Sequence, residues 1–137
     1  MRILSWNIRG LCSAMKKRYL RNVQRKNSVD MVLIQEAKME KICSLLVAQI
    51  WVSDNFDFVF LPSVGASGGI LVIWQCSIFS MDTVEVDRNF IIIQGKWVKE
   101  DITCYILTVY APCDGRDQER LWGSIVHQVN LFQVRGE

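Results

Sequence analysis

DMVLIQEAK, residues 30–38, is the stretch that decides how the chain folds. Four apolar residues, Met31 to Ile34, follow an aspartate and lead straight into Gln35 and Glu36. No helical period runs through them, and the run is bounded at strand length. It reads as a strand apolar on both faces, the kind a sheet buries between two covering layers. A carboxylate that follows such a strand must be hydrated, paired or bound to a metal, because a bare buried charge is costly.

Working outward, residues 2–7 form a second short run with Ile3, Leu4 and Trp6, read as another buried strand that Arg9–Gly10 ends. Between the two, residues 15–25 carry Tyr19, Leu20 and Val23 on one side and charges elsewhere, the pattern of an amphipathic helix. Residues 38–51 repeat a helical period through Ile42, Leu45, Leu46 and Ile50. Strands are predicted at 56–61 and 70–74, separated by the glycine-rich turn VGASGG, residues 64–69. Two more, 90–97 and 102–110, flank a hairpin turn at Lys99–Glu100–Asp101. A loop over 112–116 leads to a last helix over 117–132. No linker interrupts the pattern, so residues 1–137 read as a single α/β domain, most simply two sheets face to face with helices outside.

Composition fits a globular chain: half of it is hydrophobic and 22% charged, which excludes a disordered one. The net charge of only +2 announces no nucleic-acid partner, so any basic surface must be local. The five cysteines, at 12, 43, 76, 104 and 113, show no CxxC spacing and read as reduced thiols serving as small core residues. That use fits a reducing compartment, nuclear or cytoplasmic. Neither a signal peptide nor a membrane-spanning run is expected, and no partner protein is indicated.

Asn7 closes the first strand and Glu36 follows the second. If the two strands are parallel neighbours, both side chains lie at the carboxyl ends, where open α/β sheets place their ligand sites. Mg²⁺ needs only one or two protein carboxylates and keeps several waters, so Glu36 with an oriented Asn7 is a candidate site for it. Spacing alone leaves open a plainer reading, in which Glu36 caps the next helix and Asn7 a turn. The basic run Lys16, Lys17, Arg18, Arg21, Arg25 and Lys26 is either a track for a DNA backbone or a solvated helix face. Arg116, in the expected loop after Tyr110, is the better candidate for reaching DNA.

Five strings change the weight of these readings: SWNIRGL (5–11), DMVLIQEAK (30–38), LPSVGASGGILVIW (61–74), LTVYAP (107–112) and RLW (120–122). Their order and spacing resemble the endonuclease/exonuclease/phosphatase superfamily. The LPSVGASGG and RLW segments look like the endonuclease domain of plant LINE-type (non-LTR) retrotransposons. The resemblance covers nearly all of the chain. It implies a four-layer α/β/β/α sandwich, here incomplete at its C-terminus. It implies an active-site asparagine at Asn7, a metal-binding glutamate at Glu36 of Gln35–Glu36, and a phosphate-binding tyrosine at Tyr110 of Tyr-x-Pro. The implied activity is DNA nicking with Mg²⁺ (or Mn²⁺), with Asn7 and Glu36 at the metal and Arg9, Lys38 and Arg116 as DNA contacts. Arg9, Ala37 and Cys113 depart from residues carried by some relatives, which argues against an abasic-site repair enzyme. The family's Gly-Asp-x-Asn and Asp-His motifs are not found in the sequence; Val134–Glu137 stands where the first would begin, and His127, the single histidine, lies too early to match the second. The chain as it stands is therefore expected to be inactive, a non-catalytic remnant or a same-fold phosphatase for small phosphoesters being the competing readings.

Overall fold

The computed structural model describes residues 1–65, 67–111 and 115–135, with side chains as far as residue 127. In chain order the elements are β1 (Ile3–Asn7), α1 (Ala14–Asn27), β2 (Met31–Gln35), α2 (Ser44–Ile50), β3 (Asp57–Leu61), β4 (Ile70–Trp74), β5 (Phe79–Val86), β6 (Phe90–Trp97), β7 (Ile102–Val109) and α3 (Gly115–Arg135). The first four strands make one sheet in the order β1-β2-β4-β3, and the last three make another in the order β5-β6-β7. β1 and β2 are parallel, with Ile3 opposite Met31 and Asn7 opposite Gln35. The other pairings are antiparallel.

Three apolar clusters separate four layers. Leu11, Leu20, Val32, Ile34, Ile42, Val47, Ile50 and Trp51 fill the space between the first sheet and the segments carrying α1 and α2. Met31, Leu33, Val72 and Trp74 meet Phe79, Ile91, Ile93 and Trp97 between the sheets. Phe90 and Ile92, on the outer face of β6, are covered by Leu121 and Ile125 of α3. This is the α/β/β/α order. β2 and β4 lie inside their sheet, and their apolar runs Met31–Ile34 and Ile70–Trp74 are buried throughout. At about 25 cal/mol per Å² of apolar surface, each such side chain contributes roughly 1.5–3 kcal/mol.

Several expectations need correction. β1 is an edge strand: Leu4 and Trp6 pack towards α1, with Trp6 edge-on to Tyr19 at 5.5 Å between ring centroids, while Ile3, Ser5 and Asn7 are exposed. The second sheet reaches β2 with β7, and β7 borders the cleft that Ser5 and Asn7 of β1 line. The helix expected over 38–51 forms only at Ser44–Ile50. Ahead of it, the N–H groups of Ala37 and Lys38 donate to the carbonyls of Gly69 and Gly68, at 3.0 and 2.9 Å, and Met39 O accepts from Ser63 N. Lys38 is at φ +55°, outside the helical region, and Met39 O, which a helix would pair within itself, is taken by Ser63; Leu45 is exposed while Val47 takes the core position. β5 has no counterpart in the sequence reading, because a bulge between Met81 and Thr83 breaks its alternation. Cys12, Cys43 and Cys76 are exposed, so these three are not core fillers; Cys104 is half-buried and packs against the core between the sheets, and Cys113 lies outside the described residues. Arg116 belongs to the first turn of α3 rather than to a loop, and the rest of the expected loop, 112–114, lies outside the described residues. Val134 and Arg135 continue α3, and 136–137 lie outside.

Candidate active site

The loops that follow β1 and β2 run side by side. Ile8 N donates to Gln35 O at 3.1 Å, Gly10 N to Glu36 O at 2.8 Å, and Leu11 N to Ala37 O at 3.0 Å. On its other side the second loop is bonded to Gly68 and Gly69. Both glycines have positive φ, +76° and +91°. A Cβ on Gly69 would stand 3.1 Å from Lys38 N, and one on Gly68 would stand 3.3 Å from the Tyr110 ring. The glycine-rich segment is thus more than a turn: its lack of side chains lets the Glu36 loop and Tyr110 approach the same backbone.

Arg9, Glu36 and Lys38 all adopt the left-handed region, with φ of +52°, +51° and +55°. Each such conformation costs a non-glycine residue about 1–2 kcal/mol, and strain of this kind concentrates at functional sites. For Glu36 the consequence is geometric. Gln35 faces the second sheet, where its amide bonds Ser5 Oγ at 3.1 Å. Strand alternation would turn Glu36 to the opposite face; the left-handed turn breaks the alternation, and both residues line one cleft.

That cleft, of about 460 Å³, opens between the ends of the two sheets. The first sheet supplies Ser5, Asn7, Leu33, Gln35 and Glu36, and the second supplies Leu107, Thr108 and Tyr110. Asn7, Glu36 and Tyr110, far apart in sequence, therefore meet. The half-buried Glu36 carboxylate and the Asn7 amide make no side-chain hydrogen bond or ion pair within the described residues. Thr108, 3% exposed, keeps a buried hydroxyl without a partner there. Tyr110 is held by its backbone N–H on Asn89 O at 2.8 Å.

Arg9 and Lys38 are exposed in the loops beside the cleft and do not line it. Neither does Arg116. A second cleft, of about 480 Å³, lies on the other side of Tyr110 and includes Ser67, Arg88, Asn89, Arg120 and Ser124. Sequence reasoning gave none of these a role in the site, although Ser67 and Arg120 lie in the strings 61–74 and 120–122. Arg88 and Asn89 sit in the short turn between β5 and β6, invisible while β5 was unrecognised. His127 is exposed on α3. Among the described residues no three His, Cys, Asp or Glu side chains cluster as a metal site would require, and no helix is long and apolar enough to cross a membrane.

No protein-family model and no curated protein matches this sequence. Solved structures do. The 3′ phosphatase NExo (D146N) from Neisseria, bound to a product DNA hairpin, superposes with a TM-score of 0.71 at 14% identity, covering 98% of this chain and 53% of that one. D. rerio TDP2 complexed with a single-strand DNA product gives 0.68 at 16% identity, covering 93% and 54%. The AP endonuclease LMAP from Leishmania major gives 0.60 at 17%, covering 80% and 40%. At these identities the likeness is one of fold, and it is the endonuclease/exonuclease/phosphatase type of α/β/β/α sandwich. The chain spans about half the length of the structures it matches.

Proposed function

We propose that this chain is one half of a metal-dependent phosphodiesterase domain that nicks DNA, of the LINE retrotransposon type, and that it does not cut DNA by itself. The observation that carries the reading is the meeting of Asn7, Glu36 and Tyr110 in one cleft at the strand ends. A half-buried carboxylate without a partner among the described residues suits a hard cation, and Mg²⁺ accepts a single carboxylate with water in the remaining positions. Mg²⁺ (or Mn²⁺) bound there would polarise a phosphate oxygen. Glu36 supplies the anionic ligand, and Asn7 orients it and the phosphate. The Tyr110 hydroxyl donates to a phosphate oxygen on which charge grows during attack. Arg9 and Lys38, in the loops beside the cleft, and Arg116, in the first turn of α3, are the proposed contacts to the DNA backbone. DNA-bound structures with this fold support the substrate class.

The carboxylate stands alone among the described residues, which favours a second reading of the chain by itself as a non-catalytic remnant that binds metal and phosphate weakly. Hydrolysis needs a phosphate clamp, a metal and a group that orients or deprotonates water, and no described residue in the cleft fills the last role. With Mg²⁺ and supercoiled plasmid, the 137-residue chain is expected to leave the plasmid supercoiled, while Mg²⁺ titration shows weak saturable binding that Glu36→Gln abolishes. Robust nicking by the chain, lost in Glu36→Ala, would overturn this account of the mechanism. Turnover of a small phosphoester without nicking would favour a same-fold phosphatase.

A further inference from the structure

α1 begins against the usual electrostatic rule. Its first turn holds Lys16 and Lys17 and no acid, although the helix dipole disfavours cations there. Lys17 reaches sideways to Gln49 Oε1 at 3.2 Å. Lys16 folds back: its Nζ donates to three successive carbonyls, Ile8 O at 2.7 Å, Arg9 O at 3.2 Å and Gly10 O at 3.2 Å. Those carbonyls belong to the turn that leaves Asn7, with Arg9 and Gly10 both at positive φ. The same turn carries the N–H of Gly10 that bonds Glu36 O at 2.8 Å and the N–H of Leu11 that bonds Ala37 O. An ammonium in a half-buried setting, satisfied by three carbonyl oxygens, is a strong local tie.

We infer that Lys16 is a positioning residue: it holds the turn after β1, and through Gly10 it fixes the left-handed backbone of Glu36 that brings this carboxylate into the cleft beside Asn7. It touches neither metal nor phosphate. The inference rests on the reading of Glu36 as a metal ligand only for its functional consequence; the tie itself is independent of it.

Coulomb's law and positioning predict opposite signs. Removing a positive charge near a cation site strengthens cation binding if charge is all that matters. Loss of the tether weakens it. The experiment compares K16M, K16R and K17M with the unmodified chain by Mn²⁺ titration and by amide hydrogen exchange at Gly10 and Leu11. K16M is expected to weaken Mn²⁺ binding about tenfold and to speed exchange at both amides by about tenfold, the scale of a lost charge-assisted hydrogen bond. K17M, which deletes the same charge one residue along, leaves exchange unchanged and Mn²⁺ binding equal or tighter. K16R restores part of both. If K16M does not fold, K16Q is read in the same way. Equal exchange rates in K16M and K17M would overturn the inference. Mn²⁺ binding that is unaffected by E36Q would overturn the reading of Glu36 instead, and the exchange measurement would still decide the role of Lys16.

Discussion

The two ends of the β1–β2 pair are finished in opposite ways. Where the strands begin, Arg2 and Asp30 are paired. Asp30 accepts from Arg2 N–H at 2.8 Å and stands 3.8 Å from the terminal ammonium, Asp30 N–H donates to Arg2 O at 2.8 Å, and the Arg2 guanidinium donates to Asn27 O at 2.8 Å. Where the strands end, Asn7, Arg9, Glu36 and Lys38 make no side-chain hydrogen bond or ion pair among the described residues, and three of the four sit in left-handed backbone. A chain that satisfies its polar groups at one end of a strand pair can do so at the other. At the paired end the left-handed backbone is a single helix cap, Ser28; three left-handed residues together with unpaired polar side chains at the other end are the pattern of a site that a ligand completes.

Activity gives the largest expected contrast between the ends. In a protein carrying both halves of the fold, Glu36→Ala should lower plasmid nicking on the order of 10²- to 10⁴-fold, the scale for losing a positioned reacting group. Asp30→Ala should change it by no more than about twofold, as distant substitutions usually do. Comparable losses from both would mean that the two ends do not differ in function and that the cleft is misassigned.

The support beneath the strained end comes next. Gly69→Ala would place a methyl 3.1 Å from Lys38 N in a backbone of φ +91°. The expected cost is about 1–3 kcal/mol, read as a lowered midpoint in urea, together with weaker Mg²⁺ binding because the Glu36 loop must move. Unchanged metal binding in a destabilised Gly69→Ala would separate the loop from the site.

At the paired end, Asp30→Ala leaves Arg2 N–H without its acceptor. The expected cost is about 1 kcal/mol, a shift of roughly 4 °C in Tm for a chain of this size. No shift would show that the pairing at that end contributes nothing measurable, and the comparison would lose its reference.

The physical difference between the ends also explains what could be read in advance. β2 and β4 were legible because burial on both faces demands an uninterrupted apolar run, and Met31–Ile34 and Ile70–Trp74 supply one. β5 was not, since its bulge and its polar face hide the period. The short α2 differs from the expected helix because Lys38 is held in left-handed backbone and Met39 O is taken by Ser63, a partner far away in sequence. Asn7, Glu36 and Tyr110 stood out through resemblance more than through spacing. That Glu36 reaches the same cleft as Gln35 depends on a single dihedral, which no alternation rule foresees. The tie from Lys16 was hidden for a similar reason: its acceptors are main-chain carbonyls, and these carry no residue signature.

The smallest effect is the most diagnostic of the strain itself. Glu36 holds φ at +51°, which for a residue with a Cβ costs about 1–2 kcal/mol relative to the usual regions. Glycine escapes most of that penalty, while its greater freedom in the unfolded chain returns about 0.5–1 kcal/mol. No hydrogen bond or ion pair of the Glu36 side chain is lost among the described residues. Glu36→Gly should therefore raise stability by about 0.5 kcal/mol, detectable as a small upward shift of the urea midpoint at constant slope, and at the same time abolish the saturable Mg²⁺ binding. A gain in stability with a loss of binding is the signature of a residue kept for its ligand and not for the fold. If Glu36→Gly instead destabilised the chain by 1 kcal/mol or more, the carboxylate would be making a structural contribution, and the strand ends would differ in strain alone.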